Sequence, residues 1–380
     1  MSTPGEESIA WLLIATPLVL LTIPGVALLY GGMVRRKNIV NTIGLTFLSL
    51  LVASIMGAVM IGLMPAVQVA ERLQRFQVVL GGALALALTA GSIVERVSWR
   101  FFAVFGTLWL ALIYWPLAQS VWGSGWLNHL GVLDYAGAGP IHLAAGVSAL
   151  VAAVQIGPRV GYGRHEMMPS SLPLTVCGAG LLWIGWCGMA GGFLTSTMAT
   201  RAGALVAIQC AASSAALTWT AAEWLQRDKP TVLGTVSGAI AGLIGISAGA
   251  GYVGPLAALV IGAGAGAACY MAVNFVKPIL RYDDSLDVFG MHGVAGAWSV
   301  LATGLFASAT VNPSGSDGLF YGYPYQLFAE AASVLVVVSV AGIGTALLIK
   351  LLSVVLPARV APDAEMLGLD LSQHGERGYS

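Results

Sequence analysis

Eleven apolar runs dominate this 380-residue chain, at 9–31, 39–64, 76–94, 101–121, 138–157, 172–192, 202–224, 232–250, 254–276, 287–307 and 325–354. A run of about 20 residues spans the hydrocarbon layer as a helix. Inside that layer every backbone group must be bonded within its own segment or in a closed barrel. Long apolar runs without strict alternation read as helices. The fold class expected is therefore an all-α polytopic membrane protein of the cell (inner or plasma) membrane. Composition agrees: 9% of the residues are charged, where a soluble domain carries about 25%. Forty-nine glycines argue for close helix packing, because small residues let membrane helices approach.

The charge pattern excludes several functions. Net charge is zero, and no basic stripe of the kind nucleic acid needs is present. The four cysteines (Cys177, Cys187, Cys210, Cys269) lie in apolar runs without a CxxC pair, so disulfides and a structural metal are not expected. No nucleophile–base spacing or phosphate loop stands out, which argues against an enzyme and against a bound cofactor. Lys and Arg instead report orientation. They gather in alternate connections: Arg35, Arg36 and Lys37; Arg96 and Arg100; Arg159 and Arg164; Arg227 and Lys229; Lys277 and Arg281. The opposite loops hold only Arg72, Arg75 and Arg201. This places the N-terminus outside and the C-terminus inside, as an odd number of spans requires. The first run is followed, not preceded, by its basic flank, the reverse of a signal peptide. The membrane domain is expected over 1–354 and a cytoplasmic tail over 355–380.

A repeat runs through the spans. Run five contains His142-Leu-Ala-Ala-Gly146 and run ten His292-Gly-Val-Ala-Gly296. Each follows an aspartate and a glycine, Asp134 with Gly137 and Asp287 with Gly290. Runs one and six both end in Gly-Gly. Spans one to five thus correspond to spans six to ten. Because five is odd, the second copy enters from the opposite side, an inverted repeat whose site lies near the midplane. An ionisable group in a span marks function by default. Two neutral imidazoles there can bond each other and still present edges to a small polar molecule. Such a lining suits a weak base better than a hydrated metal ion. The remaining histidines, His129, His165 and His374, fall in loops and the tail.

At the outer mouth, Trp122 reads either as an interfacial anchor or as a ring offered to a cation. Asp134 sits just before run five, where an aspartate caps a helix.

These segments resemble the ammonium transporter (Amt/Mep/Rh) family, and its Amt branch in particular. The resemblance rests on Asp283 to Ala307; on Thr22-Ile-Pro-Gly-Val-Ala-Leu-Leu-Tyr-Gly-Gly32 with the Arg-Arg-Lys-Asn that closes the first span; on Leu133 to His142; on Ser237 to Gly245; and on the tail from Gly368 to Tyr379. It covers nearly the whole chain. It implies a homotrimer with one narrow apolar pore per subunit and His142 and His292 as the pore's twin histidines. Trp122 would serve ammonium recruitment, and Asp134 would be a structural aspartate at the vestibule. The inner face would dock a PII-type regulatory protein. The family's two stacked gate phenylalanines are replaced here. Counting back from Glu95-Arg96 the first position falls at Gly81, and counting back from Glu223-Trp224 the second falls at Leu205. Run eight reads Ser247-Ala-Gly-Ala250 where the family has Thr-Pro-Ala. The expected function is ammonium transport by deprotonation outside and passage along the histidines. The alternatives are an Amt-like sensor with little flux and an Rh-like neutral gas channel.

Overall fold

The computed structural model describes residues 6–63, 68–192 and 197–379. The expected end of the second run at 64, and the three residues 65–67 after it, lie outside those residues. The described spans are α1 (Ile9–Met33), α2 (Arg36–Gly62), α3 (Val69–Ala90), α4 (Trp99–His129), α5 (Ala138–Ile156), α6 (Leu172–Gly191), α7 (Met198–Arg227), α8 (Val232–Ile246), α9 (Pro255–Leu280), α10 (Phe289–Phe306) and α11 (Pro324–Leu352). Ten of these are long and apolar enough to cross a membrane, and α8 is the short one. Turns through 247–252 carry the chain on from α8. Large apolar side chains such as Leu51, Ile55, Leu217, Leu256 and Ile343 face outward, exposed, as a lipid-facing belt requires.

The sequence places the third span at 76–94, whereas α3 runs Val69–Ala90. Its first turns carry Glu71, Arg72 and Arg75, which an apolar window rejects. A Glu71–Arg75 pair at 2.7 Å, one turn apart, supports that extension. At the other end, Glu95 takes a left-handed backbone conformation with φ +71° and stops any continuation.

The two halves share local irregularities. A five-residue π-helical turn interrupts α4 at Leu110–Tyr114 and α9 at Ala272–Val276. Another opens α5 at Ala138–Leu143 and α10 at Phe289–Gly293. α1 packs along α6, its counterpart in the other half, while α11 packs against both α5 and α10. The helices α5 and α10 cross at glycine. A Cβ on Gly146 would lie 2.1 Å from the Gly293 nitrogen, and one on Gly296 would lie 2.7 Å from the Leu143 nitrogen. Each glycine is four residues after its own histidine and meets the residue just after the other histidine. The His-x-x-Ala-Gly repeat is thus the contact itself, written twice.

The basic connections and the tail gather at one end of the bundle. Glu95 bonds Arg35 Nε at 3.1 Å and Arg159 Nη1 at 2.6 Å. Arg159 also grips Asp283, Nη2 to Oδ1 at 2.8 Å and Nε to Oδ2 at 3.0 Å. Arg96 donates to the Asp283 carbonyl at 2.6 Å. Burial works to raise both carboxyls. Arg159 with Arg35 nevertheless holds Glu95 below its usual range, and Arg159 with Arg96 does the same for Asp283. The tail folds back onto this end. Asp370 accepts from the Asn41 nitrogen at 2.8 Å, Leu369 N donates to Asn38 at 2.9 Å, and Gln373 accepts from Trp99 N at 2.8 Å. His374 is likewise docked, 3.0 Å from the Asn41 side chain, rather than solvated as its tail position suggests.

Candidate functional site

The site is built where the two π-helical turns meet. A π turn inserts one extra residue and turns the side chains that follow, and such turns recur at functional sites. His142 is fully buried and His292 nearly so, at 3% exposure. Their Nδ1 atoms stand 3.2 Å apart and their ring centroids 5.3 Å. Only one of two neutral rings can donate in an Nδ1–Nδ1 bond. The donor then keeps a lone pair on its Nε2, and the acceptor carries its proton on Nε2. The pair therefore offers one acceptor edge and one donor edge. The Nε2 of His142 has no partner although it is buried.

His142 is held from its other face. The Trp186 indole stacks on it, and the Trp186 N–H donates to Ser247 Oγ at 3.0 Å. Ser247 donates in turn to the Leu243 carbonyl at 2.9 Å. Trp186 carries no signal along the chain beyond being a tryptophan in an apolar span, whose N–H must find a partner when buried. One turn further along α6, Met189 is also fully buried.

Asp134 caps the turn that carries His142. Its Oδ1 accepts from Gly137 N and Ala138 N at 2.7 and 2.9 Å, and its Oδ2 from Gly139 N at 2.7 Å. Burial pushes its carboxyl up to about 6 against the pull of those bonds. Trp122 is half-buried, donates to the Asp134 carbonyl at 2.8 Å, and lies against Gly137. The structure thus gathers Trp122, Asp134 and His142 on one loop and helix head.

The counterpart of Asp134 in the second half is Asp284, eight residues before its histidine, rather than Asp287. Asp284 Oδ2 accepts from Phe289 N at 2.7 Å, the position matching Gly139. Asp287 occupies the place of Gly137, and both have positive φ, +57° and +89°. The sequence pairing of Asp287 with Asp134 fails because Asp287 supplies the bend, not the cap. Where both oxygens of Asp134 are bonded, Asp284 Oδ1 has no partner.

Gly81 is buried in α3, which packs on α1, α2 and α5, while Leu205 is half-buried in α7, which packs on α6, α8 and α9. A cleft of about 440 Å³ is walled by Met33, Leu286, Asp287 and Met291, and Met291 directly precedes His292.

Comparison with known proteins points one way. The model described as Ammonium Transporter Family matches residues 10–76 and 63–379. The ammonium transporter Amt1 of Archaeoglobus fulgidus is 37% identical over 99% of this chain and 100% of its own. Among solved structures, Mep2 of Candida albicans matches with TM-score 0.85 at 29% identity, over 98% of this chain and 90% of its own. A protein described as a Sensor Amt Protein matches with TM-score 0.86 at 25% identity, over 97% and 98% of the two chains.

Proposed function

The chain belongs to the ammonium transporter family, and from that premise we propose that it moves ammonium across the cell membrane along the crossing of α5 and α10. One observation carries this reading: two buried imidazoles face each other at 3.2 Å, and His142 Nε2 is left open. Ammonium is recruited outside near Trp122. Carrying the bare cation through an apolar path would be costly, so it is deprotonated at the mouth and crosses as ammonia, while the proton either returns to the water outside or is relayed inward along the histidine pair, the second route moving net charge. Ammonia has one lone pair and three N–H groups, and the pair offers one donor edge and one acceptor edge to match. Gly81 and Leu205 are the gate positions in this reading, with Trp122 and Asp134 forming the vestibule. The protein acts as a homotrimer with its N-terminus outside and its C-terminus inside, and a PII-type protein docks on the inner face.

The test is ammonium uptake and current in proteoliposomes. Replacing both histidines by Leu is expected to abolish the wild-type flux, and unchanged flux would overturn the assignment. Current on ammonium pulses separates net charge movement from the neutral gas conduction of the Rh-like alternative, which gives none.

A second reading, a sensor with little flux, is favoured by the docked tail. Bonds from 369–373 to Asn38, Asn41 and Trp99 couple the tail to the first and third connections. Neither ammonium uptake nor current in any condition, with tail variants still altering partner binding, would establish it.

A further inference from the structure

Gln77 is a polar residue that the transport reading does not use. It lies in α3, fully buried, in the half of that helix remote from the Glu95 cluster. Its Nε2 donates to Thr16 Oγ1 at 3.1 Å, and the Thr16 hydroxyl donates to the Leu12 carbonyl at 2.7 Å. Thr16 has spent its proton, so it can only accept from Gln77. That fixes which end of the amide is which. The amide oxygen, Oε1, has no hydrogen-bond partner. An orphaned buried acceptor is costly, and a ligand that donates hydrogen bonds would relieve it.

Its direction follows from the helix. Val79 and Gly82, on the other side of α3, meet Gly57 of α2 and Tyr114 of α4. Gln77 shares the opposite face with Gly81, one turn further in. Gly81 brings no side chain to that face.

We propose that Gln77 Oε1 accepts a hydrogen bond from ammonium on its way to the histidines, one turn outside Gly81. Ammonium has four N–H donors and no acceptor, so an anchored carbonyl oxygen whose own NH2 is engaged by Thr16 is a matched partner. It supplies directly what a ring face would supply only through its quadrupole. The inference deepens the transport reading and rests on it.

The test compares wild type with Gln77→Leu and Gln77→Met in proteoliposomes. The expected result is a half-saturating ammonium concentration raised about tenfold, as for loss of one hydrogen bond to a charged group, with maximal current largely kept. An unchanged half-saturation in variants that elute and melt as folded protein overturns the proposal. Thermal stabilisation of the purified protein by ammonium chloride, against sodium chloride, reads the same site without flux. Stabilisation lost in Gln77→Leu supports the site, and equal stabilisation in variant and wild type overturns it. Wild type that shows neither ammonium uptake nor current but is stabilised through Gln77 overturns conduction and keeps the site.

Discussion

The imidazole of His142 lies flat on the indole of Trp186, with centroids 4.8 Å apart and planes within 7°. The indole is fixed by Ser247, so the orientation of His142 depends on three helices, α5, α6 and the end of α8. Such a stack contributes roughly 0.5–1.5 kcal/mol beyond area burial. Removing the Ser247 hydroxyl would leave a buried indole N–H unpaired, at a cost of about 1–3 kcal/mol. Ser247→Ala is therefore expected to lower the melting temperature and reduce ammonium flux. Ser247→Thr, which keeps the hydroxyl, should restore both. A melting curve and a flux assay on the two variants check this; equal behaviour of Ala and Thr would detach Ser247 from the site.

The crossing at Gly146 admits no side chain. A Cβ there would lie 2.1 Å from Gly293 N and 2.3 Å from Gly293 Cα, both backbone atoms that cannot rotate away. Gly146→Ala must separate α5 from α10, and overpacking of this kind costs about 1–3 kcal/mol or more. The histidines would part with it, and flux should fall at least about tenfold, as for a lost oriented contact. Gly180→Ala is the control, since its Cβ meets nothing within 4 Å. Flux through Gly146→Ala equal to the control would show that the histidine spacing does not matter.

The spans and the histidine pair were legible in the sequence because each leaves a local mark. An apolar run declares a span, and a repeated His-x-x-Ala-Gly declares symmetry. Trp186 was not legible, because what makes it special is His142, 44 residues away in the chain. Asp284 was hidden by its neighbour Asp287, since sequence spacing does not say which aspartate caps and which one bends. Gln77 looks like an ordinary polar residue near a helix end until its depth is known. The gate positions counted along the chain fall on α3 and α7, and packing between these two helices cannot be read from either segment.

The two cap aspartates should respond differently to neutralisation. Both oxygens of Asp134 accept backbone N–H bonds. Asn at 134 would turn an amide N–H toward at least one of those donors. Leaving buried donors unmatched costs about 1–3 kcal/mol each. Asp284 uses one oxygen, for Phe289 N, and the other is open. Asn at 284 can keep its oxygen on Phe289 N and place its NH2 in the open position. Asp134→Asn is expected to lose stability and most flux, and Asp284→Asn to stay near wild type. Thermal melts and uptake of both variants measure the contrast, and equally severe losses would refute it.

The ionic cluster of Glu95, Arg159 and Asp283 should make the protein acid-sensitive. Glu95 and Asp283 are held below the ordinary 4.5 and 3.8 of free carboxyls by Arg159 and its neighbours, although burial opposes this. A depressed folded value means that the unfolded chain binds protons first as pH falls. The stabilisation is therefore complete above about pH 4.5 and is lost as pH drops through the folded values. Removing one partner of a buried pair costs about 3–5 kcal/mol, so Asp283→Asn should destabilise the protein at neutral pH. It should also flatten the acid limb, because one of the titrating groups is gone. Hydrogen exchange of segments 91–98 and 156–165 in detergent, at neutral pH and near pH 3.5, reads the cluster directly. Wild type is expected to lose protection there on acidification, while the variant begins lower and changes less. Protection in wild type that is indifferent to pH would mean that these carboxyls do not hold this end of the bundle together.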